Sequence, residues 1–355
     1  MADLDIRKLL KTVVAYKASD LHLVSGSEPQ IRIDGKLVPL NLPKLDGKQI
    51  EEMCYGIITD KQKKIFEEEG ELDFALMVPD VGRFRANYYN TLGEIAAAFR
   101  IIPLKIPTLE DINAPEIFYN IIKREKGLIL VTGPTGSGKS TTLAALLNEI
   151  NHNERKHIIT IEDPVEFVHE NDKSLFSHRE IGTDTKTFAR ALKYAMREDP
   201  DVILIGEMRD KETIAAALTA AETGHLVLGT LHTNSASQTV NRIIDVFGGD
   251  EQPQVRAMLS TSLVAVISQA LIPKIGGGRV ATFEILINTP AIANLIRENK
   301  AHQIYSQMQL NQQQTGMQTQ TQILLKLLKN HMITKEDALR YSNRPEELKN
   351  LIQAL

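Results

Sequence analysis

The chain has 355 residues, which is long for one compact core and predicts two domains. Its net charge of −4 disfavours a nucleic-acid interface that needs a strong positive field. The sequence contains no run of about 18 apolar residues, the length that a helix needs to cross a bilayer. A single cysteine, Cys54, excludes an internal disulfide and a zinc site built from several cysteines. The beginning of the chain lacks a signal-peptide pattern, so we expect a cytoplasmic protein.

The first hundred residues predict helices packed on an antiparallel sheet. Apolar residues at helical spacing over 9–14 predict a first helix, and a strand at 31–33 turns at Asp34-Gly35 into a second strand. One helical stretch follows from about 46 to 69. Three further strands are expected at 74–77, 83–89 and 95–102. Residues 1–102 therefore predict an α+β domain.

Residues 103–111 predict a linker, because Pro103 and Pro107 bracket a segment that suits neither helix nor strand. From residue 112 onward, apolar strands alternate with helical patterns. The expected strands are 128–131, 158–161, 202–205 and 226–230. This alternation predicts an α/β domain with a parallel sheet whose two faces are covered by helices.

Beyond about residue 234 the pattern becomes mostly helical, except for a strand expected at 280–287. We expect a helical C-terminal part from about residue 289 to 355. Glutamine is frequent between 303 and 322, and apolar residues are sparse there. Composition alone leaves low-complexity disorder and ordered structure equally open for this stretch.

A complete phosphate-binding loop, G-x-x-x-x-G-K-[ST], follows the strand at 128–131 and precedes a helical pattern. Lys139 would reach the β and γ phosphates of a nucleoside triphosphate, and Ser140 would offer its hydroxyl to Mg²⁺. A glycine-rich turn without a ligand is the alternative, which the strand and helix flanks disfavour. The predicted nucleotide-binding residues are Gly133, Pro134, Thr135, Gly136, Ser137, Gly138, Lys139, Ser140 and Thr141.

Carboxylates end two of the predicted strands. Glu207 follows the strand 202–205 and is our choice for activating water, while Gly206 stands where a Walker B motif has aspartate. The strand 158–161 leads into three carboxylates, and a solvated acidic loop is the alternative interpretation of this cluster. We expect Glu162 and Glu166 to act in catalysis, and Mg²⁺ to be bound by Ser140, Glu162 and Asp163.

Histidines and arginines supply the remaining candidates. His232, at the end of the strand 226–230, is expected to sense the γ-phosphate, whereas His225 at its start could be functional or structural. A metal site formed by these two histidines is disfavoured by their spacing. An arginine could neutralise charge on the transferred phosphoryl group. The candidates near turns or strand ends are Arg83, Arg85, Arg100, Arg197 and Arg209.

These motifs together resemble the hexameric secretion and pilus ATPases. The matching stretches are 18–23, the phosphate loop, 161–167, 199–210 and 223–234. The resemblance implies a PAS-like N-terminal domain, a RecA-like P-loop core and a homo-hexamer. It also implies that ATP and Mg²⁺ bind between the two domains. The expected partner is an inner-membrane pilus platform protein, with the ATPase peripheral to the membrane and without direct contact to nucleic acid.

Two features favour the pilus-retraction branch of this family, which powers twitching motility. Assembly and type II secretion ATPases usually carry a four-cysteine zinc motif, and residues 270–279 pass through that region without cysteine. Residues 291–298 resemble the retraction-associated motif AIRNLIRE, with Ala293 in place of arginine. An assembly or secretion ATPase, a nucleic-acid translocase and a nucleotide-binding scaffold without turnover are the alternatives.

Overall fold

The computed structural model describes residues 5–33, 35–102, 105–310 and 312–354. Asp34 of the predicted turn and Pro103 of the predicted linker lie outside these ranges. The chain forms two compact units, which we call the N-terminal unit and the P-loop unit. The N-terminal unit comprises Met1–Lys105 with Glu166–Val168, and the P-loop unit comprises Ile106–Val165 with His169–Leu355. None of the helices in the described ranges is both long enough and apolar enough to span a bilayer.

The N-terminal unit contains an antiparallel sheet with strand order β3-β2-β1-β6-β5-β4. Its helices in the described ranges are α1 (Ile6–Ala15), α2 (Gly47–Tyr55) and α3 (Asp60–Glu69). Its strands are β1 (Asp20–Leu23), β2 (Gln30–Ile33), β3 (Lys36–Pro39), β4 (Glu71–Val78), β5 (Gly82–Thr91) and β6 (Glu94–Ile102). The apolar faces of the sheet and helices form one core centred on the buried Tyr88, whose ring contacts Phe66, Phe74 and Phe99 edge-on.

The helical stretch expected from about 46 to 69 consists of two helices, α2 and α3. The second helix starts at its own capping box, in which Thr59 accepts from the backbone N–H of Gln62 and the Gln62 side chain accepts from that of Thr59. Asp46 and Gln49 form the equivalent pair at the start of α2. This exchange satisfies backbone donors at a helix start, and both pairs are readable from the sequence as start signals.

The P-loop unit contains a sheet with strand order β13-β12-β7-β11-β10-β8-β9, parallel except for the β12-β13 pair. Its strands are β7 (Gly127–Thr132), β8 (His157–Glu162), β9 (Leu175–Glu180), β10 (Val202–Ile205), β11 (Leu226–Leu231), β12 (Leu263–Pro273) and β13 (Arg279–Ile287). Successive β7 residues pack into opposite layers, Leu128 on one face and Ile129 on the other. Both faces are therefore covered, which explains the continuous apolar runs in the sequence.

The helices of the P-loop unit lie on both sides of this sheet and continue to the end of the described chain. They are α4 (Ile117–Ile121), α5 (Lys139–Asn153), α6 (Phe188–Ala195), α7 (Lys211–Glu222), α8 (Ala236–Asp245), α9 (Gln252–Ser262), α10 (Pro290–Arg297), α11 (Ile304–Met308), α12 (Gln312–Thr315), α13 (Gln320–Lys329), α14 (Lys335–Tyr341) and α15 (Pro345–Gln353). A short 3-10 helix at Ala301–Gln303 connects α10 to α11. The helical C-terminal part begins within one residue of the predicted position.

One expectation for the C-terminal half is wrong. The chain is not mostly helical between 234 and 280, because β12 pairs with β7 over residues 263–268 and returns through a turn of three glycines at positive φ, Gly276 to Gly278. In the glutamine-rich stretch, where composition leaves disorder and ordered structure open, the described residues include α11 and α12. Ile304, Tyr305 and Met308 are buried on α11, and Met317 is buried in the connection between α12 and α13.

Candidate active site

The phosphate loop connects β7 to α5 and is shaped by close packing against β12. Gly133, Gly136 and Gly138 have φ of 141°, 79° and 89°, which L side chains rarely adopt. A Cβ on Gly133 would lie 2.2 Å from the carbonyl oxygen of Gln269, and one on Gly138 would lie 2.8 Å from the Gln269 side-chain nitrogen. Glycine is therefore required at both positions.

The loop has the features of a cradle for a triphosphate. It leads into the amino end of α5, where unpaired backbone N–H groups and the helix dipole favour anions. The Lys139 Nζ donates to the carbonyl oxygens of Gly133 at 2.8 Å and Pro134 at 3.1 Å, which holds its positive charge over the loop. The hydroxyls of Thr132 and Ser137 are buried without a hydrogen-bond partner in the described part of the chain. Such groups suit an oxygen-rich ligand.

Gln269 is a residue of this site that sequence reasoning missed. Its side chain is 4% exposed, and its Oε1 accepts from the Thr142 hydroxyl at 2.7 Å, so it ties β12 to the first turn of α5. Its position depends on the pairing of β12 with β7. No local signal in the sequence predicts that pairing.

The ends of four neighbouring parallel strands bring the predicted residues to one edge of the sheet. β7, β11, β10 and β8 are adjacent in that order, with Thr132 level with Leu231. The phosphate loop follows β7, His232 follows β11, Glu207 lies just after β10, and Glu162 is the last residue of β8. These groups therefore follow one another along the carboxyl edge, where open α/β sheets bind their ligands.

Glu207 lies between two basic side chains at this edge. The Nε of Arg209 donates to the Glu207 Oε1, and the His232 Nε2 lies 2.7 Å from the same oxygen. The hydrogen bond to Glu207 raises the pKa of Arg209 above its usual value. The Glu207 side chain is 20% exposed and that of Arg209 is 76% exposed. The carboxylate is thus held in place, while the guanidinium has room to leave it.

Gly206, which stands where a Walker B motif has aspartate, is closely packed against the neighbouring strand. A Cβ at this position would lie 3.2 Å from both the Glu162 Cα and the Ile161 carbonyl oxygen of the neighbouring strand. The backbone N–H of Gly206 donates to that same carbonyl at 2.8 Å. A side chain at this position would therefore require β8 or β10 to shift by a few tenths of an ångström.

The carboxylates that follow β8 differ in exposure. Glu162 is buried and Asp163 is exposed. Within the described ranges, no group of three histidine, cysteine, aspartate or glutamate side chains is placed to hold a metal ion. A Mg²⁺ ion here would take several of its ligands from phosphate oxygens, water and a hydroxyl, as is usual at nucleotide sites.

Three of the predicted arginines, Arg83, Arg85 and Arg100, lie in the N-terminal unit. Arg85 and Arg100 pair with carboxylates there. The Arg85 Nε donates to the Asp73 Oδ1 at 3.1 Å across β4 and β5. The Arg100 Nε donates to the Asp20 Oδ1 at 2.8 Å, with the arginine side chain 71% exposed and the aspartate buried. Both arginines are therefore held on the face of the N-terminal sheet.

Arg197 and His225 lie away from the phosphate loop within the P-loop unit. Arg197 is exposed after α6, in the segment that enters the amino end of β10 at the opposite edge of the sheet. Glu166 groups with the N-terminal unit. The His225 Nδ1 lies 3.0 Å from the Ala220 carbonyl oxygen at the start of β11, which favours the structural interpretation of this histidine.

Comparisons with known proteins agree with this arrangement. Residues 3–277 match the family described as Type II/IV secretion system protein. The chain is 53% identical to the type IV pilus retraction ATPase PilT of Pseudomonas aeruginosa, covering 97% of this chain and 99% of the relative. It is 50% identical to the twitching motility protein of Neisseria gonorrhoeae, covering 97% and 92%. A crystal structure of the pilus retraction motor PilT with bound ADP superposes with a TM-score of 0.92 at 49% identity, covering 98% and 99%.

The similarity extends over almost the whole of both chains in each comparison. It confirms the predicted fold class, an α/β RecA-like P-loop ATPase core with an N-terminal α+β domain and a helical C-terminal extension. It also confirms the predictions of an ATPase and of a pilus-retraction motor. The chain belongs to the type II/IV secretion system protein family.

Proposed function

We propose that this ATPase hydrolyses ATP at the carboxyl edge of the P-loop sheet as a homo-hexamer, and that it pulls on a pilus platform protein at the inner membrane without entering the bilayer. The observation that carries the catalytic part is the shared edge of the phosphate loop, His232 and Glu207, with the His232 Nε2 2.7 Å from the Glu207 Oε1. ADP in the similar retraction-motor structure supports a nucleotide at this loop.

Each group at the edge has a role that its chemistry allows. Lys139 and the backbone N–H groups of the loop hold the β and γ phosphates, and Glu207 accepts a proton from the attacking water. His232 contacts the γ-phosphate and orients Glu207. Mg²⁺, when bound, neutralises charge on the phosphates, and we assign it to the Ser140 hydroxyl with Glu162 and Asp163.

A cavity of about 600 Å³ adjoins the phosphate loop within the P-loop unit. Gly138 and Thr141 of the loop form one end, and apolar side chains from β12, β13 and α13 form walls, among them Leu271, Phe283 and Leu327. Ligand pockets of this kind are mostly apolar with a few polar groups. We assign this cavity to the nucleoside end of ATP.

We propose that Arg85 and Arg100 complete the active site of a neighbouring subunit in the ring. Each side chain is held by a carboxylate of its own sheet and remains partly or largely exposed, so it is pre-oriented and accessible. An arginine supplied between subunits can raise turnover by about 10³ to 10⁵ in P-loop NTPases.

Mixing two inactive variants tests this arginine proposal. Lys139→Ala lacks the phosphate contact and Arg85→Ala lacks the arginine, so mixed rings contain some interfaces in which both groups are intact. About a quarter of the interfaces in a random equal mixture should be complete, and ATP turnover should recover accordingly. The measurement is phosphate release after the two variants exchange subunits, and Arg100→Ala is treated in the same way.

The matched control is Arg7→Ala, an exposed arginine on α1 of the same unit, which should keep its activity without mixing. Mass spectrometry shows whether mixed rings have formed. If mixed rings are present and release no phosphate, the arginine tested does not act between subunits.

Helix α10 is placed to transmit force. Thr289 caps it by accepting from the Ile292 N–H at 3.4 Å, and Pro290 occupies its first turn. Ile292 and Ile296 are buried against α9, while Arg297 is exposed. These two isoleucines form an apolar stripe that anchors the helix and leaves the charged end for a partner.

Arg297→Ala should leave basal ATP turnover within about twofold, because the side chain is exposed and the apolar stripe is unchanged. Pilus shortening in cells should fail. Lys329→Ala, which removes an exposed cation from the end of α13, is the matched control and should retract normally. A folded Arg297→Ala ring without ATPase activity would place the segment in the catalytic machinery instead.

A further inference from the structure

Two later segments of the chain, about 50 and about 110 residues after His232, form hydrogen bonds to the loop that carries His232. On one side, the backbone N–H of Ala236 donates to the Glu284 Oε1 at 2.7 Å. On the other side, the Asn343 Nδ2 donates to the carbonyl oxygen of Asn234. The backbone that directly follows His232 is therefore fixed by β13 and by the connection between α14 and α15.

Glu284 joins the amino ends of two helices. It is 3% exposed, and its second oxygen accepts from the backbone N–H of Gln320 at 3.1 Å. The carboxylate thus contacts the starts of α8 and α13, where helix dipoles favour negative charge. Burial raises the pKa of Glu284, and the two N–H donors oppose that rise. A buried carboxylate with both oxygens satisfied fixes the position of each donor.

Gln320 extends this network to the connection between α14 and α15. Its Oε1 accepts from the backbone N–H of Asn343 at 2.8 Å, and its Nε2 donates to the Tyr341 carbonyl oxygen at 3.1 Å. Gln320 is thus bound to Glu284 through its backbone and to both Tyr341 and Asn343 through its side chain. The amide of Asn343 is presented to the His232 loop in one orientation.

The same connection is tied to the helix that follows α10. The Tyr305 hydroxyl on α11 donates to the Glu347 carboxylate at 2.9 Å, and the Arg344 guanidinium lies 3.6 Å from the centre of the Tyr305 ring. Tyr305 is also within 3.2 Å of the Thr321 hydroxyl on α13. A continuous series of contacts thus leads from the end of α10 to the backbone beside His232.

We propose that Asn343 and Glu284 are positioning residues for ATP hydrolysis, which hold His232 against Glu207 and so link turnover to the C-terminal helices. The proposal rests on the roles proposed above for His232 and Glu207. It requires a loss of turnover that acts through His232, whereas a merely structural role would lower stability and leave turnover unchanged.

The test begins with Asn343→Ala, because Asn343 is exposed and its loss leaves the apolar core intact. Displacing an oriented group slightly costs up to about 10² in rate, so we expect kcat to fall about tenfold. Affinity for a non-hydrolysable ATP analogue should stay within about twofold, because the phosphate loop is untouched. The control is Asn350→Ala on α15, an exposed side chain without a hydrogen bond in the described ranges, which should behave as wild type.

The same substitution is then made in a His232→Ala background. If Asn343 acts through His232, it should cause no further loss of kcat there. An equal loss in both backgrounds, or no loss in the wild type, would overturn the inference while leaving the role of His232 intact. A wild-type kcat in His232→Ala alone would instead remove the proposed role of His232, and the inference with it.

Glu284→Gln supplies a second variant of unchanged shape. The amide can accept at only one of its two ends, so either Ala236 or Gln320 loses its acceptor. We expect the same pattern in a correctly assembled ring, with kcat reduced and analogue affinity retained. A lowered thermal midpoint with unchanged kcat would show that Glu284 stabilises the fold without positioning His232.

Discussion

Glu207→Gln should lower ATP turnover by about 10² to 10⁴, while ATP affinity stays within a few fold. Glutamine has the shape of glutamate and cannot accept a proton from water. The phosphate loop belongs to a different strand end, β7, and does not depend on the charge of Glu207. The measurement combines single-turnover phosphate release with ATP binding to the same protein.

Glu222→Gln, an exposed glutamate at the end of α7, is the matched control and should turn over ATP normally. The glutamine variant also loses the charge that faces Arg209 and His232. If ATP affinity fell as far as turnover, Glu207 would be a residue that shapes the nucleotide site, and its assignment to water activation would be wrong.

Lys139→Ala should lose nucleotide binding as well as turnover. The Lys139 Nζ is held over the loop by the carbonyl oxygens of Gly133 and Pro134, at the position where phosphate charge would be neutralised. Hydrogen bonds to charged groups contribute about 1.5–3 kcal/mol, which corresponds to a loss of about 10- to 100-fold in ATP affinity. Turnover should fall below detection at ordinary ATP concentrations.

Lys126→Ala, which removes an exposed lysine just before β7, is the control for the change in net charge and should bind ATP normally. Titration with a fluorescent ATP analogue measures both variants. Wild-type affinity in a folded Lys139→Ala ring would contradict the assignment of this lysine to the phosphates.

The sequence predicts the catalytic edge because its elements follow from local pattern and from one topological rule. The strands around residues 130, 160, 204 and 228 are mostly apolar, and each is confirmed as a largely buried parallel strand. Carboxyl ends of adjacent parallel strands meet at one edge. His232 and Glu207 could therefore be expected near the phosphate loop before any coordinates were available.

The sequence does not predict the residues whose position depends on tertiary pairing. Gln269 reaches the phosphate loop only because β12 joins the sheet beside β7. Glu284, Gln320 and Asn343 come together from a strand, a helix start and a loop that lie far apart in the chain. The sequence does not reveal the network of Glu284, Gln320 and Asn343, because composition cannot distinguish a buried, hydrogen-bonded glutamine from a solvated one.

The most direct test of this account follows labelled pili in cells whose only copy of the protein carries Glu207→Gln. We expect the variant ring to bind ATP and release no phosphate, so that pili extend and never shorten. Cells with the Glu222→Gln control should shorten their pili at the wild-type rate. Pili that shorten normally with Glu207→Gln as the only copy would contradict the claim that hydrolysis at this edge drives retraction.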